Sequence, residues 1–386
     1  MLPFLVAHAG HADWRLALDR CVGKLCLDAG GEVPPEYSLG WCYLTDVFAA
    51  SAEAIVAELK ARLPGVAWVG TVGIGIAAGG IEYIDEAALV LMLAPLPKDA
   101  FRLFSGRQPL RSGAEGFGAH TALVHADAGA PDLQELLQEL AGRTATGYLF
   151  GGLSSARTHT LQIADAVLTG GLSGVAFSDS VEVVSRVSQG CQPLGVLREV
   201  TRAQGNHVVA LDGRSALECA LEDLGLDAAS EIEEVAEALS STLVGLSRSG
   251  DDRAAVPGRF GADTLVRHIV GFDPHAGVLA IGDAVESGVR LSFCRRDPEA
   301  ALQDVRRIAG EIRDQLAAGG QRAAGAIYVS CVGRGGPHFG EPDAELIAIG
   351  DILGELPLAG FFAAGEIARD RLYGYTGVLT VFAMPA

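Results

Sequence analysis

Two charges in this sequence stand where charge is expensive. Arg334 closes the apolar run "AAGAIYVSCVG", and Glu366 closes "PLAGFFAAG". Both runs read as buried strands, and an unpaired ion at the end of such a strand costs several kcal/mol of desolvation. Either the two charges neutralise each other or meet water, or they bound a pocket with one cation and one anion. The second arrangement suits a zwitterion: the planar fork of Arg334 grips a carboxylate, and Glu366 receives an ammonium group. Gly333, Gly335, Gly336, Gly360 and Gly365 then allow backbone to approach a small ligand closely.

Neighbouring residues widen the chemistry. Cys331, His338 and Glu366 combine formally as nucleophile, base and orienter. The local signature of a known cysteine enzyme is missing from these positions, and a small buried cysteine is the commoner use of the residue. His338, between Pro337 and Phe339, reads as a ligand contact or as a surface loop residue. Ser154 and Ser155 follow Gly151-Gly152 and either offer hydroxyl and N–H groups to an anion or cap their own loop. His8, His11, His207, Cys191, Asp46 and Thr71 are weaker candidates, and no cluster has metal-ligand spacing. Two glycine loops imitate nucleotide motifs without their chemistry. Gly335 to Gly340 has phosphate-loop spacing, but Glu341-Pro342 stands where Lys and Ser or Thr are required. "GTVGIGIAAGG" (70–80) looks like a dinucleotide fingerprint, yet Gly79-Gly80 breaks the helix that must follow it.

The elements that position these residues are legible from periodicity. Helices are predicted over 13–25, 51–65, 131–142, 213–225, 298–318 and 343–354. Another is predicted over 230–246, opened by a capping box of Ser230 and Glu233. Strands are expected at 38–46, 66–70, 86–95, 121–127, 324–332 and 376–382, with "PLAGFFAAGEIA" (357–368) as one more. Residues 173–191 read as a hairpin, and "TLVRHIVGFD" and "GVLAIGDAV" as two strands joined by an Asp-Pro-His-Ala-Gly turn. Residues 105–120 and 247–263 read as loops. The expected class is α/β (α+β), with mixed, largely antiparallel sheets flanked by helices in two related layered domains. The boundary is placed between 226 and 227, giving domains 1–226 and 227–386. Asp179–Ser188 lines up with Asp283–Ser292, a faint internal repeat.

Bulk numbers exclude several classes. The chain has 386 residues with 29 basic and 48 acidic side chains, a net charge of −19. That balance opposes nucleic acid and anionic membrane surfaces. The apolar runs are too short to span a bilayer, and the N-terminus lacks a basic leader region. Seven cysteines at scattered spacings form no disulfide framework, so reduced thiols and a cytoplasmic location are expected.

The closing segment "CVGRGG…GEPDAELIAIGDILGELPLAGFFAAGEIA…LYGYTGVLTVF" resembles the C-terminal part of FIST-domain proteins, named for F-box and intracellular signal transduction. "PGVAWVGTVGIGI", "YLFGGLSSAR" and "VSQGCQPLGVLREVTRAQGNHVVALDGRSALECALEDLG" resemble its N-terminal partner, so the likeness runs from about residue 35 to the end. The resemblance implies a small-ligand sensory protein, not an enzyme, that recognises amino acids or similar metabolites. No F-box, kinase or receiver segment is recognised here, so the output is expected to pass to a signalling partner in trans. Some bacterial FIST proteins are similar to nitric-oxide sensors that bind haem, which offers an alternative cofactor reading that needs a His or Cys axial ligand. A cysteine-dependent enzyme built on Cys331 is the second alternative.

Overall fold

The computed structural model describes residues 2–111, 117–227, 230–247, 260–261 and 264–386. Parts of the loops predicted over 105–120 and 247–263 lie outside the described residues. The chain divides into two compact units, one of 1–188 with 302–386 and one of 189–301. The division at 226/227 is a statement about chain order, whereas these units are groupings in space that the chain enters, leaves and re-enters.

The first unit is built from three copies of one pattern: an edge strand, a parallel strand–helix–strand pair, a short hairpin and a closing strand. The first copy runs β1 (Leu5–Gly10), α1 (Trp14–Asp28), β2 (Leu39–Thr45), α2 (Ala52–Arg62), β3 (Ala67–Gly73), β4 (Gly75–Ala78), β5 (Ile81–Ile84) and β6 (Ala88–Ala94). The second is β7 (Phe101–Ser105), β8 (Thr121–Ala126), α3 (Leu133–Ala141), β9 (Tyr148–Leu153), β10 (Gln162–Ala164), β11 (Val167–Leu168) and β12 (Leu172–Phe177). The third opens with β13 (Val183–Gln189) and is then interrupted by the second unit.

That inserted unit holds β14 (Cys191–Pro193), β15 (Arg198–Gln204), β16 (His207–Leu211), β17 (Arg214–Ser215), α4 (Ala216–Leu224), α5 (Ile232–Ser240), β18 (Leu243–Ser247), β19 (Leu265–Asp273), β20 (Val278–Ile281) and β21 (Arg290–Arg296). Its antiparallel sheet follows the order β14-β21-β15-β16-β20-β19-β18, and β18 returns to pair with β21, closing a ring around a core that α4 and α5 complete. The third copy then resumes with α6 (Pro298–Ala318), β22 (Gln321–Cys331), α7 (Ala344–Leu353), β23 (Leu358–Ala363), β24 (Glu366–Arg369), β25 (Arg371–Tyr373) and β26 (Thr376–Pro385).

The three copies give three six-stranded sheets of matching order: β1-β6-β2-β3-β10-β11, β7-β12-β8-β9-β24-β25 and β13-β26-β22-β23-β4-β5. Each contains one parallel pair, β2–β3, β8–β9 or β22–β23, among antiparallel neighbours. The hairpins are exchanged in a cycle. The second copy's hairpin finishes the first sheet, the third copy's finishes the second, and the first copy's finishes the third. No sheet is complete without another copy.

Helices cover the outer face of each sheet. Apolar residues of α1 and α2 pack on the first, α3 on the second, and α6 and α7 on the third. The inner faces meet through aromatic rings, among them Trp41–Phe382 with centroids 5.3 Å apart, Phe177–Phe382 at 5.6 Å and Tyr43–Phe361 at 5.2 Å. These ring contacts join the inner faces of the three sheets.

One register position repeats in all three parallel pairs. Gly70 lies opposite Cys42, Gly151 opposite Val124, and Gly360 opposite Tyr328. A Cβ at these glycines would fall 1.8, 1.9 and 1.8 Å from the carbonyl oxygens of those same partners. The residue is therefore glycine for backbone closeness, which accounts for Gly360 without a ligand.

Most predicted elements are present, including the long helix from Pro298 capped by Asp297, whose Oδ1 accepts the Ala300 N–H at 2.8 Å. Four expectations are corrected. Residues 173–191 are not a hairpin, because β12 and β13 belong to different sheets. The stretch 357–368 is two strands, broken after Ala363 so that β23 joins the third sheet and β24 the second. The helix of 230–246 ends at Ser240, and its capping box is replaced by Ser230 accepting the Asp227 N–H; "LVGLS" then forms β18, paired with β19 on one side and β21 on the other. The Asp179/Asp283 alignment matches β13 with β21, strands of different sheets, whereas the actual internal repetition is the three-copy pattern. Among the described residues no helix is long and apolar enough to cross a membrane.

Replacing Gly360 by Ala is expected to destabilise the protein by about 1–3 kcal/mol, the usual range for overpacking. The urea unfolding midpoint of Gly360→Ala against the parent checks this.

Candidate functional site

Alternation along β22 sorts the polar residues onto two faces. Tyr328 and Ser330 point toward α7, while Val329 and Cys331 point to the interior, where the second sheet lies. The sequence-predicted pair is divided by this strand.

On the helix side sits Glu345, in the first turn of α7 and fully buried. Its carboxylate accepts the Tyr328 hydroxyl at 2.8 Å, the Ser330 hydroxyl at 2.7 Å, and Nε and Nη2 of Arg334 at 3.1 and 2.6 Å. Nη1 of Arg334 donates to the carbonyls of Ser188 at 3.3 Å and Tyr375 at 3.2 Å. Four of the five guanidinium N–H groups are thus engaged with protein. The Arg334 cation is a structural clamp joining the β22–α7 loop to β13 and the β25–β26 turn.

On the interior side Glu366 opens β24 and is also fully buried. Its Oε2 accepts the Thr376 N–H at 3.1 Å and the Thr376 hydroxyl at 2.7 Å. Oε1 has no hydrogen-bond partner among the described residues. Burial pushes this carboxyl up to about 8, against the pull of the Thr376 donors, the Arg334 charge and the Cys331 thiol. The two charges sense each other without forming an ion pair, since Arg334 pairs with Glu345. Tyr373, directly across the strand pair from Glu366, is buried with its hydroxyl likewise unpartnered. An unmade hydrogen bond of this kind costs about 1–3 kcal/mol per group. Two such groups therefore stand on neighbouring strands of the same hairpin.

Cys331 lies beside the Glu366 carboxyl, and its sulfur receives the N–H groups of Gly333 and Tyr375. Burial and the adjacent carboxyl push its thiol up to about 12, the opposite of what an activated nucleophile needs. Gly335 and Gly365 approach protein atoms: a Cβ would fall 2.5 Å from Ile84 Cδ1 and 3.0 Å from Leu372 Cδ1 respectively. His338 occupies a short helical turn with its ring edge-on to Phe339. Ser154 bonds Thr71 Oγ1 at 2.6 Å, and Ser155 donates to the Phe362 carbonyl at 2.5 Å while accepting the Ile74 N–H. These hydroxyls clasp the end of β9 to strands of the other two sheets.

The remaining candidates scatter. His8 bonds Tyr83 at 2.7 Å, His11 caps its own turn at Asp13, and Asp46 accepts the Arg157 N–H. His207 is exposed on β16, and Cys191 is a buried thiol against Cys294. Among the described residues no group of three or more His, Cys, Asp or Glu is placed to hold a metal ion.

Two residues of the site escaped sequence reading. Glu345 is the charge inside "DAELIAIG", and its position in an otherwise apolar helix was the available signal. Glu82, in "GGIEYI", accepts the Gly336 N–H at 3.0 Å, while its own N–H donates to Asp343 Oδ1 at 2.6 Å. These two bonds latch the segment between β22 and α7 to β5. Burial, with Glu345 and Asp343 nearby, pushes the Glu82 carboxyl up to about 7.

The FIST N domain model matches residues 38–214 and the FIST C domain model residues 216–369. An uncharacterized protein of Mycobacterium tuberculosis (strain ATCC 25618 / H37Rv) is 34% identical over 350 residues, covering 85% of this chain and 86% of its own. An uncharacterized protein of Mycobacterium bovis is 32% identical over 400 residues, covering 96% of each.

Two outcomes are expected. Glu345→Ala leaves the Arg334 charge buried and uncompensated, so it should cost about 3–5 kcal/mol in urea unfolding, with Arg334→Met added to it restoring part of the loss. Glu366 carries a folded-state pKa near 8 against 4.5 in the unfolded chain. The folded state therefore holds a proton that the unfolded state has released, and stability falls as pH rises through that window. Relative to Glu366→Gln, the parent should lose stability between about pH 5 and about pH 8, read as diverging unfolding midpoints.

Proposed function

The chain belongs to the FIST family, whose domains are generally sensory, and we propose that it binds a small amine-bearing metabolite, with amino acids the first class, at Glu366. The carrying observation is the unpartnered Oε1 of a carboxyl wholly removed from water. An ammonium group supplies both the missing donor and the countercharge, so binding ionises Glu366 and releases its proton. Tyr373, across the strand pair, offers a hydroxyl to the same molecule. Cys331 packs against the bound group as a neutral thiol. Arg334 contributes its field from the other side of β22, held in place by Glu345.

The hairpin that carries Glu366 is short, four residues in β24 and three in β25, and it belongs to the third copy while completing the second sheet. Ligand at Glu366 therefore acts on the seam between two copies. A shift of that hairpin is the signal that a protein partner in trans reads. The seven free cysteines accord with a reducing, cytoplasmic location.

Calorimetric titration of the full chain with the twenty amino acids tests the reading. A binder is expected whose Kd tightens roughly tenfold per pH unit from about pH 6 to about pH 8, with proton release measurable in buffers of different ionisation enthalpy. Glu366→Gln should abolish it. A panel without a binder, on folded protein, removes the amino-acid reading.

A further inference from the structure

The three-copy pattern assigns every position in one sheet an equivalent in the other two. With the repeated glycine as origin, the next residue of the second parallel strand is Thr71, Gly152 or Phe361. Its hairpin partner is Gln162 in the first sheet, Glu366 in the second and Ile76 in the third. The hairpin residue that follows or precedes it toward the helices, Ile163, Ile367 or Ala77, belongs to the helix-covered core in each case, so the three equivalent side chains turn inward. Two of these positions are polar, and one is apolar.

Gln162 is fully buried, and both its amide oxygen and its amide nitrogen lack hydrogen-bond partners among the described residues. Its strand, β10, packs against β12 of the second sheet. On β12, Ser173 is fully buried with an unpartnered hydroxyl. Directly across from Ser173 on β8 is His125, also fully buried, with Nδ1 unpartnered. Its Nε2 meets the Tyr43 hydroxyl at 3.2 Å, and Tyr43 shares a row with Thr71 and Gln162. That hydroxyl has no other acceptor among the described residues, so we assign it as the donor and place the imidazole proton on Nδ1. Four polar atoms on three buried side chains thus lack partners among the described residues where the first and second sheets meet.

Contact between Glu366 and this cluster is blocked. A Cβ at Gly152, which lies between Glu366 and His125 in the row, would fall 2.7 Å from Ala363 Cβ and 2.8 Å from Val329 Cγ1. The third sheet therefore presses into the gap and separates the two polar recesses.

We infer that Gln162, Ser173 and His125 form a second ligand site, equivalent by the internal repetition to that of Glu366, which takes an uncharged amide-like molecule. The donor and acceptor inventory sets the class. His125 Nδ1–H and the Gln162 amide N–H call for a carbonyl oxygen, and the Gln162 carbonyl calls for an N–H. Ser173 serves either role. Burial lowers the pKa of His125 to about 3, so the imidazole is neutral and brings no charge to the recess. A primary amide, a lactam or a urea derivative satisfies these atoms, whereas an ion leaves its charge uncompensated.

The test uses the full chain with 15N-labelled histidine and 2-pyrrolidinone as probe, followed by NMR, with a crystal structure of the probe-soaked protein. The expected result is a saturable shift of one imidazole Nδ1–H signal and density for the lactam between Gln162 and Ser173. The apparent Kd should weaken about tenfold in Ser173→Ala and more in Gln162→Leu, consistent with one or two lost hydrogen bonds. The shift should persist in Glu366→Gln, which separates this site from the amine site. Absence of a saturable imidazole shift in the parent, a crystal containing ordered waters alone at the recess, or equal affinity in Ser173→Ala overturns the inference.

Discussion

Backbone closeness at three glycines is the constraint on which the first unit rests. Gly70, Gly151 and Gly360 each bring the second strand of a parallel pair against the carbonyl of the first, at one shared register. With that geometry fixed, the residue following each glycine faces inward, and a hairpin from another copy pairs alongside it. The position of Glu366 is a consequence. It is held by pairing with Gly152, by Thr376 on the closing strand, and by a core that leaves it no water. Chemistry at the site is thereby tied to the packing of all three sheets.

The two buried acids show how differently the same side chain behaves under different partners. Glu345 receives hydroxyls from Tyr328 and Ser330 together with the Arg334 fork, and this full set of donors satisfies its carboxylate. On Glu366 the Thr376 donors and the Cys331 thiol do not offset burial, which favours its protonated form. The first arrangement gives rigidity. The second leaves Oε1 without a donor among the described residues, at a seam between copies, and under the proposed reading a ligand there is felt at that seam. Coupling of binding to a partner needs no large motion under this scheme, because the hairpin at the seam is short and its pairing few.

Legibility in the sequence followed the range of the interactions involved. Helices and strands set by local periodicity, such as α6 with its Asp297 cap and the β19–β20 hairpin, were readable. Arg334 and Glu366 were correctly marked as charges in apolar surroundings, since burial is a local pattern. Their separation onto opposite sides of β22 was unreadable, because it depends on the break at Ala364–Gly365 that sends β24 into another sheet. The exchange of hairpins hid the three-copy pattern for the same reason: the pairing partners of a short hairpin lie in a different copy, with no local cue. Glu82 was missed because its partners Gly336 and Asp343 lie far along the chain, whereas Glu345, whose partners are 11 to 17 residues away, carried a local signal as a charge inside an apolar helix. Glycines at 335, 360 and 365 read as room for a ligand, whereas their neighbours are protein atoms.

Infrared difference spectroscopy on the carboxyl of residue 366 addresses the central claim most directly. The account predicts a protonated-carboxyl stretch at neutral pH, identified by its loss in Glu366→Gln, that vanishes when an amine ligand saturates the protein and is replaced by carboxylate bands. A carboxyl already ionised in the unliganded protein, or a protonated band unchanged at saturation, would contradict it.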